Sequence, residues 1–255
     1  IINSGSVMET ASWRDRVDAI LVAWQPGIEG GNSVADILTG KVNPSGKLTM
    51  TWPIAATDHP STANFAKEYD MYTYKNMEGW GKGNIPGVDF SNHEEDIYVG
   101  YRYFDTFKKD VAYPFGFGLS YTTFEMGKPS VKANGKNIEV SVTIKNTGKV
   151  AGKQVAQVYV TAPKGAYEKP AKELKTFGKT RELKPGESQT LKMTLEKRDL
   201  ASFDEANSQW KVDAGNYLFQ VGTDVESIKG TATLKVAEYT EKTSSACAPN
   251  VQLNY

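Results

Sequence analysis

The sequence predicts an α/β portion followed by an all-β sandwich, and three observations carry that prediction. Ala19, Ile20, Leu21, Val22 and Ala23 form a continuous apolar run without alternation, the texture of a strand covered on both faces. A glycine-rich turn and a helical pattern follow it directly. Beyond Met126 the pattern changes to short alternating strands separated by turn residues.

In chain order, Ile1, Ile2, Asn3, Ser4, Gly5 and Ser6 read as the end of a buried strand, with neither a methionine start nor the basic and apolar regions of a signal peptide. Because a natural chain rarely begins in mid-sheet, the α/β domain is expected to be incomplete here, its first part lying upstream. Trp13 is expected to pack rather than bind, since tryptophan is highly buried on average. After the 19–23 run, Gly27, Gly30 and Gly31 allow a tight reversal. Asn32 or Ser33 is expected to cap a helix with Val34, Ile37 and Leu38 on one face, and Gly40 to end it. A phosphate cradle ranks behind tight strand-to-helix packing, because the GxGxxG spacing and a P-loop lysine are both missing. Asn43, Pro44, Ser45 and Gly46 form a turn, after which Leu48, Met50 and Trp52 alternate with polar residues as a strand would.

From Asp58 to Asn92 the periodicity stops, although Tyr69, Tyr72, Tyr74 and Trp80 argue against disorder. This loop (58–92) is expected either to pack on a neighbouring domain or to form one wall of a ligand-binding cleft, with interface packing ranked first. Trp80 is the first candidate for substrate contact. His59 and His93 bracket the loop, and Glu94, Glu95 and Asp96 follow; with no HExxH or related spacing, a solvated acidic turn ranks ahead of a metal site. No metal or organic cofactor is expected. Tyr101 and Tyr103 suggest a strand with one buried face, on which neighbouring side chains point apart, so the acidic run before it is not read as a catalytic pair. Gly116 and Gly118 permit a close turn.

In the second half, Ile138, Val140, Val142 and Ile144 alternate with polar residues, and strands are expected at 155–161, 172–180, 188–195, 210–212, 217–221 and 231–236. About seven such strands without cysteines argue for a sandwich. Tyr217, just after a turn, sits where a tyrosine corner would. The large residues fall mainly on one face, which favours bracing a neighbour over binding polysaccharide. The polar segment 238–255 is expected to wrap the surface or fray.

Composition excludes several classes. The 30 basic side chains cancel the 30 acidic ones in 255 residues, so no field-driven binding of nucleic acid or anionic membrane is expected. No run reaches membrane-spanning length. Cys247 is the single cysteine, which rules out a disulfide framework.

Three phrases carry a resemblance. The first combines Ala23-Trp24-Gln25-Pro26-Gly27-Ile28-Glu29-Gly30-Gly31, Ala35-Asp36-Ile37-Leu38-Thr39-Gly40 and Asn43-Pro44-Ser45-Gly46-Lys47-Leu48 with Thr51-Trp52-Pro53. The second runs from Glu94 to Asp105 and the third from Tyr113 to Phe124. Together they resemble the C-terminal α/β domain of glycoside hydrolase family 3, mostly β-glucosidases and β-xylosidases. Lys169-Pro170-Ala171-Lys172-Glu173-Leu174-Lys175-Thr176-Phe177 and Arg198-Asp199-Leu200-Ala201-Ser202-Phe203-Asp204 resemble the immunoglobulin-like, fibronectin type III-like domain that closes many of these enzymes.

The resemblance implies the end of the α/β sandwich domain over 1–122, a fibronectin type III-like sandwich over 123–237 and a tail over 238–255. It implies a retaining, exo-acting enzyme that removes terminal β-D-glucosyl residues, its aspartate nucleophile on a barrel domain and its glutamate acid/base upstream of Ile1. No catalytic residue is then expected in this chain, which alone would be inactive. The implied partners are the N-terminal barrel-containing part, in the same or a separate chain, an oligosaccharide or glucoside, and in some assemblies a second copy; a bacterial periplasmic or secreted setting is favoured over the cytoplasm. The alternatives are a β-xylosidase or a non-catalytic carbohydrate-binding or scaffold module.

Overall fold

The computed structural model describes residues 1–64 and 93–243. Its elements are helix α1 (Gly30–Leu38), strand β1 (Trp52–Pro53), helices α2 (Ser61–Asn64) and α3 (Tyr101–Thr106), and strand β2 (Val111–Tyr113). Eleven further strands follow: β3 (Phe124–Met126), β4 (Ser130–Asn134), β5 (Asn137–Asn146), β6 (Val155–Thr161), β7 (Glu173–Lys179), β8 (Ser188–Glu196), β9 (Ser202–Asp204), β10 (Gln209–Val212), β11 (Gly215–Gly222), β12 (Ile228–Val236) and β13 (Tyr239–Lys242).

The first part is held by one small apolar cluster. Ile2, Trp52 and Ala112 are buried, and Val7, Ala11, Trp13, Ile20, Val22, Trp24, Leu48 and Tyr113 pack around them. Trp24 and Tyr113 each meet Trp52 edge-on at 6.3 Å, the T-shaped arrangement that aromatic quadrupoles prefer. Trp13 is a packing residue, as expected, its indole N–H donating to the Glu9 carbonyl at 2.9 Å.

Several local expectations are corrected. The 19–23 run forms no continuous strand; its sheet pairing is a single parallel bridge from Val22 to Ile2, with hydrogen bonds from Ile2 N–H to Leu21 and from Ala23 N–H to Ile2. Helix α1 begins at Gly30 after Glu29, ahead of Asn32 and Ser33, and no side chain caps it. Gly40 does close it, its N–H donating to Ile37. The strand expected from Leu48 shrinks to Trp52–Pro53, antiparallel to β2, while Leu48 instead exchanges backbone bonds with Gly116 and Phe117.

Tyr101 and Tyr103 lie on helix α3, not on a strand. At 3.6 residues per turn, Tyr101, Phe104 and Asp105 share a face, and Phe104 is buried. The tail is also more ordered than expected, since Tyr239–Lys242 pairs along the whole of β10.

The sandwich follows the predicted alternation closely. β5 pairs β8 along one edge and β3 and β4 in tandem along the other, and the second sheet runs β12-β11-β6-β7, all antiparallel. Ile138, Val140, Val142 and Ile144 face Leu191, Met193 and Leu195 from β8, and Ala156, Val158, Val160, Tyr217, Phe219 and Val221 from the opposing sheet. Tyr217 is fully buried and its hydroxyl donates to the Asp213 carbonyl at 3.0 Å, the tyrosine corner expected of it. Burial pushes that phenol up to about 12.

Candidate functional site

The residues in which the sequence invites chemistry turn out to make a junction. Strand β6 reads Val155-Ala156-Gln157-Val158-Tyr159-Val160-Thr161, and its five central residues are all buried. Ala156, Val158 and Val160 enter the sandwich core. By the strand's two-residue period Gln157 and Tyr159 point the other way, and there they meet α3 and the 113–118 segment.

Gln157 holds the turn. Its amide nitrogen donates to the Gly116 carbonyl at 3.1 Å and the Thr223 carbonyl at 2.6 Å, while its oxygen accepts the Tyr159 hydroxyl at 2.6 Å. Gly116 has φ +84°, and a Cβ there would overlap the Gln157 amide, so both the conformation and the close approach require glycine. The 115 position adds a backbone bond, Val225 N–H donating to the Phe115 carbonyl at 3.0 Å. Tyr101 packs at a tilt on Phe115, ring centroids 4.6 Å apart, and meets Tyr159 edge-on at 6.1 Å, and its hydroxyl accepts the Leu174 N–H at 2.8 Å. Burial raises the pKa of both phenols, so both stay neutral at physiological pH.

Charge pairs complete the seam. Asp105 and Lys172 are 3.3 Å apart with side chains 11% and 12% exposed, and Arg102 lies 3.6 Å from Glu173. Thr106 accepts the Ala171 N–H at 2.9 Å. Lys47 donates to the Gly118 carbonyl at 2.6 Å, and its burial lowers its pKa. Arg102 is therefore an ion-pair partner in a seam rather than a substrate group.

The other candidates do not converge. Glu94 and Asp96 are exposed in a turn, and His93 is exposed beside them. His59 packs edge-on against Phe104 at 5.2 Å, where burial lowers its pKa. Among the described residues no cluster of three or more His, Cys, Asp or Glu could hold a metal ion. Trp80, with Tyr69, Tyr72 and Tyr74, lies outside the described residues. Sequence reasoning missed Gln157, Tyr159, Asp105 and Lys172. The available signal was β6 itself, which carries no charge on either face and so reads as a strand covered on both.

This geometry packs helix α3 and the 113–118 segment on the outer face of the sandwich. Residues 1–121 match the glycosyl hydrolase family 3 C-terminal domain and residues 154–225 the fibronectin type III-like domain. The chain is 40% identical over 238 residues to a beta-glucosidase of Kluyveromyces marxianus, covering 92% of this chain and 26% of that protein. It is 41% identical over 253 residues to beta-glucosidase A of Butyrivibrio fibrisolvens, covering 90% and 28%. The solved structure of beta-glucosidase 3B from Thermotoga neapolitana in complex with glucose superposes with a TM-score of 0.81 at 46% identity, covering 94% of this chain and 31% of that one. The chain thus spans between a quarter and a third of the length of these relatives.

An α/β portion packed through aromatic and ionic contacts on the outer face of a β-sandwich, with both parts matched in this order, defines the C-terminal region of a glycosyl hydrolase family protein. More particularly, this chain belongs to glycosyl hydrolase family 3, whose C-terminal α/β domain and fibronectin type III-like domain it carries.

Proposed function

We propose that the chain is the C-terminal part of a retaining, exo-acting β-glucosidase that removes terminal β-D-glucosyl residues from oligosaccharides or glucosides. The observation that supports this most is that relatives and solved structures matching nine-tenths or more of the chain are β-glucosidases. In this reading the aspartate nucleophile and glutamate acid/base come from an N-terminal part that includes a barrel, at the roughly 5 Å separation that retention requires. The present chain completes the α/β domain up to about residue 122 and braces it with the sandwich through the β6 junction. Exposed apolar side chains on the first part, Ile28 at 102% and Leu38 at 62%, suit a surface that other protein covers. Trp80, outside the described residues, is the candidate for substrate contact in the 58–92 loop, for which packing on a neighbouring domain ranks first.

The test is hydrolysis of a chromogenic β-glucoside by the chain alone and by the chain joined to its N-terminal part. The chain alone is expected to be inactive, and the joined protein to release β-glucose first, seen in the anomeric proton signals. Initial release of α-glucose would overturn retention. Turnover by the chain alone would overturn the placement of the carboxylates. Preference for a β-xyloside, or sugar binding without turnover, would move the protein to the xylosidase or the non-catalytic reading.

A further inference from the structure

The junction contains a small cavity of about 10 Å³ lined by Thr51, Tyr101, Phe104, Asp105, Val111, Pro114, Val225 and Glu226. The α/β portion, helix α3 and a loop of the sandwich all contribute to its wall. Two of its polar atoms need a partner. The Thr51 hydroxyl oxygen and Asp105 Oδ2 are buried and have no hydrogen-bond partner among the described residues. Thr51 is 3% exposed. Leaving a buried hydroxyl or carboxylate oxygen unpaired forfeits its hydration without return, so native structures rarely leave two in one place.

We propose that this cavity is a binding site for one structural water, which donates to Asp105 Oδ2, pairs with the Thr51 hydroxyl and so links the segment before β1 to α3 within the α/β portion, beneath the sandwich. The volume admits one water, which needs on the order of 10–15 Å³ by this measure and two to four polar partners. A metal cation is disfavoured by charge. Asp105 already faces Lys172 at 3.3 Å and Lys108 at 3.5 Å through its other oxygen. The occupant is therefore neutral and small.

Two variants separate a bridged hydroxyl from a merely buried one. Thr51→Val keeps the shape and deletes the hydroxyl; if water bridges the site, the change strands that water and the unfolding midpoint falls by about 2–4 °C. If the cavity is dry, the same change removes an unpaired polar group and the midpoint rises. Thr10→Val is the internal control, because Thr10 is fully buried with an unpartnered hydroxyl but does not line this cavity. Its midpoint is expected to hold or rise. A midpoint for Thr51→Val that is unchanged or higher overturns the proposal. Should the variant fail to fold, crystallography of the unsubstituted protein decides: a solvent peak within hydrogen-bond distance of both oxygens supports the water. No peak, or a peak with the short multiple oxygen contacts of a cation, overturns it.

Discussion

Replacing Gly116 by alanine should break the junction at its tightest point. Two costs add. Holding a non-glycine residue at φ +84° costs about 1–2 kcal/mol. The new Cβ also overlaps the Gln157 amide, which must move and abandon at least one buried bond to Gly116, Thr223 or Tyr159. An orphaned buried group costs about 1–3 kcal/mol, so the total is about 2–5 kcal/mol. The measure is urea unfolding followed by near-ultraviolet circular dichroism, with Gly135→Ala as reference. Gly135 has φ +60° in the β4–β5 turn and nothing within 4 Å of an added Cβ, so it carries the conformational cost alone. Gly116→Ala should exceed Gly135→Ala by at least about 1 kcal/mol. Equal losses would refute the role assigned to Gln157.

Three further outcomes are expected. Lys172→Met leaves Asp105 in the seam without its nearest cation and should cost about 3 kcal/mol in unfolding free energy, the lower end for breaking a buried pair because Lys108 remains near. The Asn207 and Gln209 side chains hold the Asp204 carboxyl down to about 2 from an ordinary 3.8. A carboxyl depressed in the folded state stabilises above its unfolded pKa, so this contribution is intact above about pH 4 and lost as pH falls towards 2; a pH series of unfolding midpoints should show a shallower acid limb for Asp204→Asn. On the joined enzyme, Trp80→Ala should raise KM for a β-glucoside about three- to tenfold if the ring stacks on sugar, whereas an unchanged KM with weaker domain association would assign the ring to an interface.

Legibility in the sequence followed the number of neighbours each element has on the same chain. β5, β8 and β11 alternate cleanly and β6 is an uncharged apolar run, each paired with other strands of the same chain, so their bounds are legible to within a residue or two. The 19–23 run was read as a strand for its apolar texture, but among the described residues only Ile2 pairs with it, and one neighbour makes a bridge rather than a strand. Helix α3 is hidden because Tyr101 and Tyr103 mimic a two-residue period; the signal that outweighs them is Tyr101, Phe104 and Asp105 at helical spacing, and in the structure the Gly100 carbonyl accepts the N–H groups of Tyr103 and Phe104. β13 is invisible to an apolar pattern because Tyr239-Thr240-Glu241-Lys242 is held by backbone pairing and by polar contacts such as Arg198 with Glu241 at 3.3 Å. The junction was hardest to see, since Gln157, Gly116 and Asp105 are far apart in sequence and their meeting depends on two domains at once.

Strand β6 belongs to two interiors. Its Ala156–Val158–Val160 side is buried by the sandwich itself, and its Gln157–Tyr159 side by helix α3 and the 113–118 segment. A sandwich cut free at the start of the family match, residue 154, would expose the amide and phenol that the seam now covers, and would lose β5, the strand that pairs with β8, together with β3 and β4, which pair with β5. The sandwich cannot be excised at that boundary as a self-sufficient unit, and a homologue that exchanged it for another would need to carry β3 to β5 and the Gly116–Gln157 contact across together.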